Sequence, residues 1–151
     1  MKSILNSIFK KNDISSIKEL DLSEKNILIG SILAECAKVD GNLSLEELNR
    51  IRHILKNKLK IEDNDVISIF EQSIENANKS IEIYSLTKEI REKFDKDEIL
   101  KIFEYMWEII LIDGKIDDFE SALMRNFAGL FHVTGKESSE AKNKALENIN
   151  N

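Results

Sequence analysis

The sequence predicts an all-α fold, a compact bundle of about seven helices with an internal pseudo-twofold duplication. Three observations carry this expectation. The 151 residues contain no proline and only five glycines, so the strongest helix breakers are nearly missing. Apolar residues recur at helical spacing through most of the chain. One pattern, a helix that runs into an Asp-Gly turn and out into a second helix, occurs twice.

Two short helices are expected first, over 1–11 and 14–20. The leading one is amphipathic, with Lys2, Lys10 and Lys11 around Ile4, Leu5, Ile8 and Phe9. It lacks the apolar run and small-residue cleavage site of a signal peptide. Residues 1–22 are therefore read as an amphipathic extension that packs on the domain, with contact to a membrane surface as the lesser alternative. The domain proper, 23–151, opens with Ser23 as the cap of a helix reaching Val39, whose stripe is Leu28, Ile29, Ile32, Leu33 and Cys36. Asp40-Gly41 ends it. Ser44 starts the next helix, with Glu47 three residues on as a capping box and Leu48, Ile51, Leu55 and Leu59 on its apolar side. Asp63 caps a helix carrying Val66, Ile67, Phe70 and Ile74, and another over 81–94 carries Tyr84, Ile90 and Phe94.

The second half repeats the scheme. Asp95 and Glu98 flank the start of a helix to Ile112, with Ile99, Ile102, Phe103, Met106, Trp107 and Ile110 on one face. Asp113-Gly114 ends it. Asp117 caps the following helix, with Glu120 at the capping-box position and Phe119, Leu123, Met124, Phe127 and Phe131 turned to the core. Thr134 caps the last helix, which fades near Asn148. No flexible linker divides the chain, and the repeat halves fall at about 23–78 and 95–148.

The duplication is also where chemistry is concentrated. Glu35, Asp40, Gly41, Glu47 and Arg52 return as Glu108, Asp113, Gly114, Glu120 and Arg125, every pair 73 residues apart. The glycine permits the positive φ of a helix end, and the reversal brings Asp40 toward Glu47 and Asp113 toward Glu120. Hard cations such as Ca²⁺ take several oxygen ligands. The stretch from Asp-Gly to Glu equals the second half of an EF-hand loop, but its first half is missing, because Cys36 and Lys38, or Ile109 and Leu111, stand at the leading ligand positions. Asp117 adds a carboxylate where the first turn has Ser44, so the second turn is the better candidate.

A purely structural explanation stands beside this one. Glu47 and Glu120 sit where capping boxes need them, acids in a first helical turn suit the helix dipole, and Asp-Gly is a good turn former. Capping leaves Glu35 and Glu108 unexplained. On a helical wheel Glu35 borders the apolar stripe and is expected to be partly buried, whereas Glu108 falls on the polar side with Lys101 and Glu104.

Other chemistry is weakly represented. The formal net charge of −6 argues against a general nucleic-acid binder, which needs clustered Lys and Arg. His53 and His132 lie at no zinc spacing, and Cys36 is alone on an apolar face, where a buried inert thiol is expected. The lone cysteine and the lack of any apolar run near ~20 residues fit a cytoplasmic protein. No phosphate loop or nucleophile–base arrangement is visible, so the chain is expected not to be an enzyme.

These residues resemble the TerB-like family, named for tellurite resistance. The resemblance is carried by Ala34-Glu35-Cys36-Ala37-Lys38-Val39-Asp40-Gly41 with Glu46-Glu47, by Trp107-Glu108 through Ile112-Asp113-Gly114 with Glu120, and by Tyr84-Ser85-Leu86-Thr87 between them. It spans about Ser23 to Ala145. It implies a helical bundle with pseudo-twofold halves and a bacterial, stress-associated, non-enzymatic module that binds a divalent cation (Ca²⁺, Mg²⁺, Mn²⁺ or Zn²⁺). The implied metal residues are Glu35, Asp40 and Glu47 in the first half and Glu108, Asp113 and Glu120 in the second. Asp117 joins them on the reading of the residues alone. Related domains joined to a J-domain in membrane-anchored co-chaperones imply a protein partner, and leave open a second reading, an interaction module whose acids only cap helices.

Overall fold

A computed structural model describes residues 24–38, 44–78, 83–114, 116 and 118–150. The two N-terminal helices expected over 1–11 and 14–20, the Asp40-Gly41 turn and Asp117 lie outside the described residues. Within them the fold is all-α, with no strand. Helix α1 covers 24–37, α2 Leu45–His53, α3 Asp63–Asn78, α4 Ile83–Lys93, α5 Lys96–Leu111, α6 Asp118–Phe131 and α7 Gly135–Asn150. No described helix is long and apolar enough to cross a membrane.

Capping chemistry sets several of these boundaries. Ser44 accepts from the Glu47 amide at 3.1 Å while Glu47 Oε1 accepts from the Ser44 amide at 3.3 Å. The same reciprocal pair forms between Asp95 and Glu98 at α5 and between Thr134 and Glu137 at α7. Each box satisfies two amides that the first turn of a helix leaves without a partner. At the end of α5, Gly114 takes φ +79° and its amide reaches Leu111 O at 2.9 Å, the positive-φ closure expected of an Asp-Gly turn.

One boundary differs from the expectation. The helix begun at Ser44 does not run on as α-helix to Leu59. After His53 it becomes a π-helix over Ile54–Lys58, with the Leu59 amide donating to Ile54 O at 3.0 Å. Ile51, Ile54 and Leu55 are all fully buried, and Lys60, two residues beyond the π-helix, takes φ 54°. No such turn interrupts α6, so the two halves are not copies in detail.

Helix α5 is the centre of the bundle. Every residue from Ile102 to Leu111 is buried, so this helix is enclosed on all sides and is not amphipathic over that stretch. It packs most extensively on α7 and also meets α2 and α6, while α4 packs on α6 and the π-helix on α3. Cys36 is fully buried, as its apolar stripe predicts. Three apolar residues expected on core-facing stripes turn outward instead: Ile67, Tyr84 and Phe119 are 62%, 59% and 76% exposed. In each case a neighbour one to three residues away, Val66, Leu86 or Glu120, occupies the inward position.

Helices α1 and α3 touch through the smallest side chains available. A Cβ placed on Gly30 would overlap Ser73 Oγ and approach Ser73 Cβ to 2.9 Å. Ser73 is itself fully buried and donates to Ile69 O at 2.8 Å, so it has little freedom to move aside. Gly30→Ala is therefore expected to destabilise the fold although alanine is the better helix former. Overpacking of about 1–3 kcal/mol outweighs a gain of roughly 1 kcal/mol in helix propensity. Urea denaturation checks this, and an unchanged or raised midpoint would contradict the close α1–α3 contact.

Candidate metal centre

The acids of the duplicated pattern separate into two groups. Glu35 on α1, Glu47 on α2 and Glu120 on α6 form the first. All three act on one point, the buried Cys36 thiol. Burial first, and then these three carboxylates, push that thiol well above its usual pKa and hold it protonated. Glu47 and Glu120 are buried, at 5% and 8% exposure. Glu35 is half-buried, as its place beside the apolar stripe predicts, and pairs with Lys38 at 3.5 Å. Burial raises the Glu35 pKa, and Lys38 only partly opposes this. In the folded protein the ionised form of Glu35 is therefore disfavoured, which nearby positive charge would correct. Asp113 is exposed on the turn after α5, close in sequence to Glu120.

Glu108 belongs to the second group. It is fully buried, not on a polar face, because α5 has no solvent face at that level. Its Oε1 accepts from Arg50 Nε at 3.1 Å and from Arg50 Nη2, closing a two-pronged ion pair between α5 and α2. Its Oε2 accepts from Asn148 Nδ2 at 3.3 Å. The same amide donates to Glu104 Oε1 at 2.7 Å, and Lys101 Nζ reaches that oxygen at 3.2 Å. Glu104 is 4% exposed. Both glutamates also raise the Tyr105 hydroxyl, after burial, to about 12.

Arg50, Glu104 and Asn148 stand at no motif spacing to Glu108, so no local pattern marks them as parts of a network. A signal was present. Ile109, Leu111 and Tyr105 are apolar outside the stripe assigned to α5, so that helix is apolar on every side and its acids need internal partners.

Glu35, Glu47 and Glu120 are thus each within electrostatic range of Cys36, whereas Glu108 is held by Arg50 and Asn148. Asp40 and Asp117 lie outside the described residues. Among the described residues no group of three or more His, Cys, Asp or Glu side chains is placed to hold a metal ion. The donors in the first group are carboxylate oxygens, and the protonated, buried Cys36 is not a thiolate ligand. That chemistry fits a hard cation better than zinc. It does not extend to Glu108, whose oxygens are held by Arg50 and Asn148.

Comparison with known families matches residues 26–143 to the model for tellurite resistance protein TerB, well over half of the chain. No curated protein and no solved structure matches it.

The Arg50–Glu108 pair has a measurable consequence. Arg50→Met leaves the fully buried Glu108 without its guanidinium and is expected to cost roughly 3–5 kcal/mol. Glu108→Gln leaves Arg50, whose side chain is 14% exposed, able to reach water, and is expected to cost less. Chemical denaturation of both variants checks the order. Losses under about 1 kcal/mol for both would make the pair equivalent to a surface ion pair.

Proposed function

The chain belongs to the TerB family, and we propose that within it this protein is a non-enzymatic module that binds a hard divalent cation, Ca²⁺, Mg²⁺ or Mn²⁺, through acids of its duplicated pattern. The observation that supports this reading is that Glu35, Glu47 and Glu120, on three different helices and with Glu47 and Glu120 buried, all lie within electrostatic range of Cys36. The duplicated turns supply further carboxylates, Asp113 among the described residues and Asp40 and Asp117 in sequence next to them. Glu108 is assigned to the core network and not to the cation. A bound cation would favour the ionised form of Glu35, which burial otherwise disfavours. Glu47 serves as a cap through Oε1 and as a source of negative charge at once, so capping and cation binding are not exclusive.

The module acts by binding, and in this reading its output is a change in stability or surface charge. Its setting is a cytoplasmic stress response with a protein partner, which is the part of the proposal that rests on family resemblance alone.

Mass action supplies the test. A cation that binds only the folded state stabilises it by ~2.7 kcal/mol at a hundredfold excess over its dissociation constant. Asp113→Asn with Glu120→Gln should abolish that response while leaving much of the capping intact. The response should also depend on pH in a stated direction. Glu35 has a raised folded pKa, so the stability linked to its protonated form is present at acidic pH and lost as pH rises from 4.5 through the raised value. A cation offsets that loss, so its effect on melting temperature should grow across the same window. Melting curves with each cation against chelator check both expectations. No shift with any cation in the parent protein would leave the acids as caps and the protein as an interaction module.

A further inference from the structure

We propose that the outer face of α2 and of the π-helix that continues it, with Ile67 of α3 beside them, is a docking surface for an acidic amphipathic helix of a partner protein. The basic part of this face is one continuous stretch of chain. Residues 50–60 hold five of the 22 Lys and Arg side chains and no acid, which leaves 17 against 28 acids elsewhere, a balance of −11. Helix α2 runs directly into the π-helix, so these cations stand on the same rod that buries Ile51, Ile54 and Leu55. Arg50 is turned inward to Glu108, whereas Arg52, His53, Lys56, Lys58 and Lys60 are exposed. Lys58 and Lys60 have no ion-pair partner among the described residues.

Two contacts fix how α3 lies against this face. The Arg52 guanidinium carbon is 4.6 Å from the centre of the Phe70 ring, and Lys56 Nζ is 3.3 Å from Asp63 Oδ1. Ile67 comes four residues after Asp63 and three before Phe70. It is one helical turn from each, and so stands on the flank of α3 between the two contacts. It is 62% exposed. A large apolar side chain is thus open to solvent beside a row of cations. The Lys56–Asp63 bridge is more than half exposed at both ends, so it yields readily to a competing carboxylate. The sign of the local field is visible at His53. Asn57 Nδ2 donates to its Nδ1 at 3.0 Å, and burial, then the charges of Arg50 and Lys58, lower its pKa and favour the neutral ring.

The chemistry of the partner follows from this pairing. Carboxylates one helical turn apart match Arg52, Lys56 and Lys60, and an apolar stripe beside them meets Ile67. Nucleic acid or a flat anionic lipid surface fits less well. Either would also press on the exposed Glu62, Asp63, Asp65 and Glu71 and meet the −11 of the remaining chain. A narrow helix can lie along the basic row alone. The surface shares no residue with the acids assigned to the cation.

The test uses the full chain in the presence of EDTA, so that the outcome does not depend on whether a cation binds. A fluorescently labelled peptide of leucine and glutamate, amphipathic and about five turns long, is titrated by anisotropy. It is compared with its leucine–lysine counterpart and with a version in which serine replaces leucine. The leucine–glutamate peptide is expected to bind although it has the sign of the chain as a whole. Lys58→Glu with Lys60→Glu should weaken it about tenfold or more, and Ile67→Ser roughly threefold or more. Lys88→Glu with Lys136→Glu makes the same change in net charge at two exposed sites elsewhere, and should leave binding nearly unchanged. All these residues are exposed, so circular dichroism should show the parent fold in every variant. The chain has two histidines, and on binding the ring signals of His53 should move while those of His132 stay. No binding, equal binding of either comparison peptide, equal loss in the control variant, or movement of His132 alone would overturn the proposal. Binding to phosphatidylserine vesicles that Lys58→Glu with Lys60→Glu abolishes, with no peptide bound, would overturn it in favour of a lipid surface. A dimer of this chain that the same pair of substitutions dissolves would overturn it in favour of a second copy.

Discussion

The enclosure of α5 is the constraint on which the rest of this structure depends. A helix buried on every side from Ile102 to Leu111 must satisfy whatever polar groups it carries from inside the protein. It carries two carboxylates, at Glu104 and Glu108, one helical turn apart. Their partners come from two neighbouring helices, Arg50 from α2 and Asn148 from α7. The bundle is thus joined through its centre by directional bonds as well as by apolar contact. Arg50 lies one turn beyond Glu47, so the same helix reaches the core network with one residue and closes its own N-terminal capping box with the other.

This arrangement explains why the two copies of the acidic pattern have different roles. In the first half the leading glutamate, Glu35, sits at the margin of the core beside Lys38. In the second the equivalent residue, Glu108, lies on the central helix and has been taken into the interior. An identical residue at an identical register is treated differently because the helices on which it stands are covered to different extents. A repeat in sequence predicts local geometry, whereas burial is set by the packing of the whole chain.

Much of the fold was legible in the sequence for that reason. Apolar periodicity locates α1 to α7, Ser44 and Asp95 start their helices with the glutamates three residues on, and the cap expected at Thr134 extends to a full box with Glu137. Cys36 was placed in the core by its neighbours on one face. What could not be read from local pattern was decided by tertiary contact. The apolar character of Phe119 and Ile67 predicts an inward position, but the adjacent Glu120 and Val66 are the residues buried. The π-helix after His53 has no local sequence mark, because Ile51, Ile54 and Leu55 have the spacing of an ordinary α-helical stripe. The candidate site was legible as a set of acids but not as a partition of them, since Glu104, Arg50 and Asn148 meet Glu108 across long separations in sequence.

The division of the acids into an outer group and a locked inner pair can be observed one carboxyl at a time. Glutamate side-chain carboxyl carbons followed by nuclear magnetic resonance, during titration with Ca²⁺ or Mg²⁺, report each residue separately. Glu35, Glu47 and Glu120 should shift together with one common affinity, while Glu104 and Glu108 stay where they are. Equal shifts at Glu108 and Glu35, or movement of Glu108 without the outer three, would contradict the division and return the second-half glutamate to the metal site.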